Sequence, residues 1–115
     1  MGANRHRGET AAIFDDTEFR LCLTLGALAE LETAFAADDL GALVARFAGG
    51  KLSAGDMAKI LGAGLRGAGH VISDDEVRMM RSPDGAAGFA RAVAELLTAT
   101  FGTRTDTTPG PTPDP

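Results

Sequence analysis

The chain has 115 residues, 44% of them hydrophobic, with six Phe and neither Trp nor Tyr; this suits one modest core of Leu, Ala, Val, Ile and Met and excludes a cofactor domain beside a substrate domain. Sixteen acidic residues against eleven basic ones give a formal net charge of −5, so the overall field repels a phosphate backbone and nucleic acid is not an expected partner. A single cysteine, Cys22, excludes an internal disulfide, and no run of ~18 apolar residues marks a membrane span or follows the basic start as a signal peptide would; the expected location is the cytoplasm.

Residues 1–7, MGANRHR, read as a flexible N-terminal arm in which Arg5, His6 and Arg7 form a small basic group. Residues 8–24, GETAAIFDDTEFRLCLT, predict a β-hairpin that turns at Asp15 and Asp16. In its second run Phe19, Leu21 and Leu23 alternate with Arg20, Cys22 and Thr24, giving an apolar and a mostly polar face, with Cys22 acting as a small apolar group. The first run is ambiguous, because Thr10, Ala12 and Phe14 compete with Ala11 and Ile13 for the inward face.

From Leu25 the period lengthens to about three and a half. Leu25, Leu28, Leu31 and Phe35 share one face of a first helix, with Thr24 as N-cap. Asp38 or Asp39 caps a second helix, in which Leu40, Leu43, Val44 and Phe47 recur at i, i+3, i+4 and i+7, and Gly49-Gly50 ends it. The next two helix starts are marked by capping residues with flanking hydrophobic staples: Ser53 with Asp56 between Leu52 and Met57, and Ser73 with Glu76 between Ile72 and Val77. Asp74, Asp75 and Glu76 then favour the positive end of their helix, and Arg78 and Arg81 its negative end; this acidic triplet reads as helix-start chemistry rather than a metal site. Ser82-Pro83 predicts the start of a last helix, with Phe89, Val93, Leu96, Leu97 and Phe101 on its apolar face. Residues 102–115, GTRTDTTPGPTPDP, have nothing apolar to bury and read as a disordered tail. The expected fold is α+β and mostly α: one domain over residues 8–101, a hairpin followed by about five short helices in a compact bundle.

Gly62, Gly64 and Gly67 spell G-x-G-x-x-G, the pattern that cradles a dinucleotide pyrophosphate when it follows a strand and opens a helix. Here the residues before it, SAGDMAKIL, are already helical by cap and spacing, and one hairpin offers no parallel sheet. No nucleotide cofactor is expected. The glycines instead suggest close packing: Gly55, Gly62 and Gly69 recur every seven residues, a smooth stripe where another backbone can approach, either within the chain or from another protein. Gly69 alternatively closes the helix in the left-handed conformation. His6 and His70 lack a ligand-spaced cluster, so no metal is expected, and no catalytic constellation emerges. The residues describe a small, acidic, mostly helical interaction module that is not an enzyme.

Three blocks, NRHRGE at 4–9, LCLTLGALAELETAF at 21–35 and ILGAGLRGAGHVISDDEV at 60–77, resemble the small proteins of the gene transfer agent family assigned to the phage tail assembly chaperone group. The resemblance runs over residues 4–101. It implies a non-catalytic role in the morphogenesis of a prophage-like tail: coating the long helical tape-measure protein, recruiting tail-tube subunits and then leaving. The same group includes proteins labelled as tail-tube components, so a structural part retained in the particle is the alternative. A DNA-binding regulator using residues 53–80, with Lys59, Arg66, Arg78 and Arg81, is the weaker alternative, since no predicted helix groups those charges.

For the partner surface the pattern nominates Leu40, Leu43, Val44 and Phe47 on the second helix and Ile60, Leu61 and Leu65 on the third, because so many apolar faces in so short a chain exceed what one core covers. Plain core is the competing reading of the same seven residues. Homo-oligomerisation is compatible with either.

Overall fold

The alternation near the N-terminus becomes an antiparallel hairpin in the computed structural model, which describes residues 8–48 and 52–102. Strands β1 (Glu9–Phe14) and β2 (Thr17–Cys22) pair from Glu9 opposite Cys22 to Phe14 opposite Thr17. Asp15 and Asp16 form the two-residue loop with φ of 54° and 62°, the doubly left-handed geometry that matches the twist of the flanking strands and that aspartate tolerates better than most residues. This loop settles the face left open by the first run. It sets Ala12 opposite Phe19 and Thr10 opposite Leu21, and residues directly opposite share a face; Thr10 and Phe14 are therefore buried while Ile13 is 51% exposed.

Helix α1 (Leu25–Ala34) starts at Thr24, whose Oγ1 accepts the Ala27 N–H at 3.1 Å. Its buried line runs through Ala27, Leu28 and Leu31, which puts Leu25 roughly 110° round the helix from that line. Leu25 is 76% exposed, a correction to the predicted apolar face. Helix α2 (Leu40–Ala48) is capped by Asp39, whose Oδ1 accepts the Ala42 N–H at 2.9 Å. It packs on α1, with Phe47 edge-on to Phe35 at 5.4 Å between ring centroids. The predicted stop at Gly49-Gly50 lies outside the described residues.

Helix α3 (Ala54–Gly67) opens with a complete capping box, Ser53 Oγ accepting from Asp56 N and Asp56 Oδ2 from Ser53 N. It then runs through the centre of the molecule, touching β2, α1, α4 and α5. Every residue from Ile60 to Leu65 is buried. Helix α4 (Asp74–Arg78) carries the Ser73–Glu76 box; it stops at Arg78, so Arg81 lies beyond it. There Arg81 meets the hairpin loop: its N–H donates to Asp15 Oδ1 at 2.9 Å, and Asp15 N–H donates to its carbonyl at 2.8 Å.

The last helix, α5 (Ala86–Phe101), begins later than the Ser82-Pro83 signal predicts. Ser82 closes a turn instead, its Oγ accepting from Asp84 N and its carbonyl from Gly85 N. Gly85 has a φ of 62°, which no helical residue adopts, so the helix starts only after it. Val93 and Leu96 are buried, and Phe89 stacks on Phe14 at 5.3 Å. The architecture is α+β and mostly α, a hairpin followed by five helices, with β2, α1, α4 and α5 packed around the central α3. The predicted arm and all of the predicted tail after Gly102 lie outside the described residues.

Candidate interaction surface

The glycine pattern lies wholly within α3, with no strand before it, so the dinucleotide geometry is absent and each glycine serves a different neighbour. A Cβ at Gly67 would collide with the carbonyl oxygen of Cys22, where the helix lies directly on the backbone of β2. At Gly64 it would stand 2.6 Å from Leu96 Cδ2 and 3.3 Å from Leu21 Cδ2, wedged between α5 and β2. At Gly62 it would collide with the carboxylate of Asp74. The predicted stripe of Gly55, Gly62 and Gly69 is thereby corrected. Gly55 has nothing nearer than Ser53 Oγ at 3.7 Å, and Gly69 has open space around it. Gly69, with a φ of 102°, ends α3: its N–H donates to Arg66 O and His70 N–H donates to Leu65 O, the paired closure of a Schellman motif.

Of the seven residues nominated for a partner, Leu43, Phe47, Ile60, Leu61 and Leu65 are buried in the monomer's core. The periodic spacing that selected them is the signature of a core-facing stripe, and the hairpin, α1 and α5 supply enough cover for it. Leu40 and Val44 remain 39% and 40% exposed. Val44 opens onto a groove of about 470 Å³ between α2 and α5, walled by Phe47, Leu52, Met57, Leu97 and Phe101. A second groove, of about 530 Å³, lies between α3, α4 and α5 and is walled by Met57, Leu61, Val77, Met80 and Phe89. Met57 belongs to both. Sequence reasoning assigned Met57, Phe89, Leu97 and Phe101 to core faces; half-burial arises where the edges of several stripes meet, which no single helix's periodicity reveals. Methionine at a shared wall suits an adaptable contact surface, because its unbranched thioether repacks easily.

Arg66 is the strongest polar feature. Its Nη2 reaches Glu30 on α1 at 2.7 Å, and its Nη1 lies 3.1 Å from Asp74 and donates to the Ile72 carbonyl at 2.9 Å. The hydrogen bond to Glu30 raises the guanidinium pKa, burial opposes it, and Asp74 adds to the rise. The group stays charged throughout the working pH range and clasps α1, α3 and the start of α4. Arg46 and Lys59 both lie over the Phe35 ring, at 4.7 and 5.4 Å from its centroid. Cys22 is half-buried, and burial, followed by the charge of Glu9, raises its thiol pKa above 9.0. His70 sits edge-on to Phe19 at 5.3 Å. Among the described residues no three His, Cys, Asp or Glu side chains converge as metal ligands would, and no helix is long and apolar enough to cross a membrane.

Comparison with known proteins adds a lineage to this geometry. No curated protein and no solved structure shows significant similarity to the chain. Residues 7–103 match the family described as phage tail tube protein, GTA-gp10. That match takes in the hairpin and all five helices. The chain belongs to this gene transfer agent and phage tail family.

Proposed function

We propose that the chain is a structural component of a phage-like tail, retained in the particle and acting through protein contacts without catalysis. The observation that carries this reading is the family match over residues 7–103. Tail-tube subunits are its expected partners, and the bacterial cytoplasm is where it assembles with them.

The two grooves around Met57 favour a second reading, the tail assembly chaperone. Their walls come mostly from helices, whose interior main-chain groups are already paired, so an occupant that buries its own backbone there has to satisfy most of it internally. An amphipathic helix does so, and the tape-measure protein of the chaperone reading is long and helical. Quantitative mass spectrometry of purified particles separates the two. A tail component is recovered in fixed proportion to the tube subunits, whereas a chaperone is missing or sparse. Co-expression with the tape-measure protein completes the test, since a chaperone keeps that protein soluble and elutes with it.

A further inference from the structure

Helix α2 is the least anchored of the helices. It packs on α1, and among the described residues it makes no comparable contact with another element. Two contacts to one ring fix it there: the edge-on Phe35–Phe47 pair, and the Arg46 guanidinium 4.7 Å from the centroid of the same Phe35 ring. Arg46 also reaches Asp56 on α3, but at 3.8 Å and with its side chain 48% exposed, so solvent leaves that ion pair little strength. Toward α5 the helix meets open space, the groove of about 470 Å³ onto which Val44 opens and in which Leu97 and Phe101 are only half-buried. Leu43 is fully buried and does not line this groove, so α2 has a fixed point about which to turn.

The turn that leads into α2 is strained. Ala36 has a φ of 54°, the left-handed conformation that closes a helix and that glycine usually supplies, and the Ala37 N–H completes the closure of α1 by donating to the Glu32 carbonyl at 2.8 Å. Only Asp38 and Asp39 separate this turn from Leu40, where α2 begins. Short connecting segments of this kind are where hinge motions concentrate their backbone change.

We propose that α2 is a lid over the groove, latched to Phe35 in this structure and able to swing about Leu43 onto α5. Closure seats Val44 against Leu97 and Phe101 and removes their apolar surface from water. The latched arrangement keeps the ring pair and the cation–π contact instead. Each arrangement rests on a few weak contacts, so the two lie close in energy and both are populated. The closed lid seals Met57 and Val93 at the floor of the groove, and its equilibrium sets how much of this face any partner finds open. The lid is a property of the chain alone and is independent of whether the protein stays in a particle.

Spin labels at Ala45→Cys and Thr98→Cys in a Cys22→Ser chain test this by pulsed dipolar spectroscopy, both positions being exposed. The expected distance distribution has two maxima. Arg46→Ala raises the ratio of the shorter to the longer distance about threefold, the change expected from losing one exposed cation–π contact, while Arg46→Lys keeps a cation beside the ring and stays near the parent ratio. Val44→Cys/Leu97→Cys in the same Cys22→Ser chain gives an independent readout: the pair closes to a disulfide under mild oxidant with an unchanged circular dichroism spectrum, and closes faster when Arg46→Ala is added. A single distance that Arg46→Ala leaves unmoved, or a substituted pair that stays reduced, overturns the proposal.

Discussion

A methyl group at Gly67 has nowhere to go, because the atom it would meet is the backbone carbonyl of Cys22 rather than a side chain that can turn aside. Gly67→Ala gains about 1 kcal/mol of helix propensity, but overpacking against main chain costs typically 1–3 kcal/mol, and more where nothing yields. The expected outcome is a lower melting temperature, by a net loss of about 2 kcal/mol. Gly55→Ala is the control: its Cβ meets only Ser53 Oγ, at an ordinary contact distance of 3.7 Å, so it stabilises by about 0.5 kcal/mol through the reduced freedom of the unfolded chain. Thr10 carries the opposite kind of defect. It is 3% exposed, and among the described residues its Oγ1 finds no hydrogen-bond partner. Thr10→Val removes the orphaned hydroxyl at nearly constant shape, so denaturant unfolding shows a gain of about 1 kcal/mol.

At the scale of elements, Arg66 ties α3 to α1 and to the start of α4 through charged contacts. Its side chain is 29% exposed and Glu30 and Asp74 are more so, so solvent screens the pairs and each contributes less than about 1 kcal/mol. Arg66→Ala is expected to lower stability by about 1–2 kcal/mol once the lost donor to the Ile72 carbonyl is included, and 0.5 M salt narrows the difference from the parent chain in a thermal melt. Raising pH does not reproduce the loss. A guanidinium whose pKa the fold raises is charged in the folded and unfolded chain alike until strongly alkaline pH, so its contribution holds across the accessible pH range. These elements are largely legible in the sequence, since caps and staples are local: Thr24, Ser53 with Asp56, and Ser73 with Glu76 each act within one turn. The start of α5 is not, because Ser-Pro suits a turn as well as a helix, and the positive φ of Gly85 decides between them. The orientation of β1 was recoverable in principle. A two-residue Asp-Asp loop makes the inward face of β1 follow from the clearer face of β2.

For the whole molecule, the divide between core and surface is what the sequence pattern blurs. Leu61 and Val44 obey the same periodicity, yet one is fully enclosed and the other opens onto solvent, because enclosure depends on which other elements arrive. Substitution separates them. Leu61→Ala is expected to cost about 2–5 kcal/mol and to weaken any partner contact only through the fold. Val44→Asp shifts the melting temperature little, within about 0.5 kcal/mol, but places a charge in the groove beside Met57 and Leu97; if the proposed tail role runs through this groove, the variant loses co-purification with its tail partner at unchanged stability. The central position of α3 has a further consequence for how the protein is made. Its neighbours β2 and α1 are synthesised before it, and α4 and α5 after it, while the hairpin loop is closed by Arg81 and Phe14 by Phe89. A nascent chain that stops short of α5 thus holds a hairpin without its anchor and a central helix with one side bare. The hairpin and α3 are complete only once α5 has joined them, so truncations that remove α5 are expected to yield aggregates rather than a smaller folded unit.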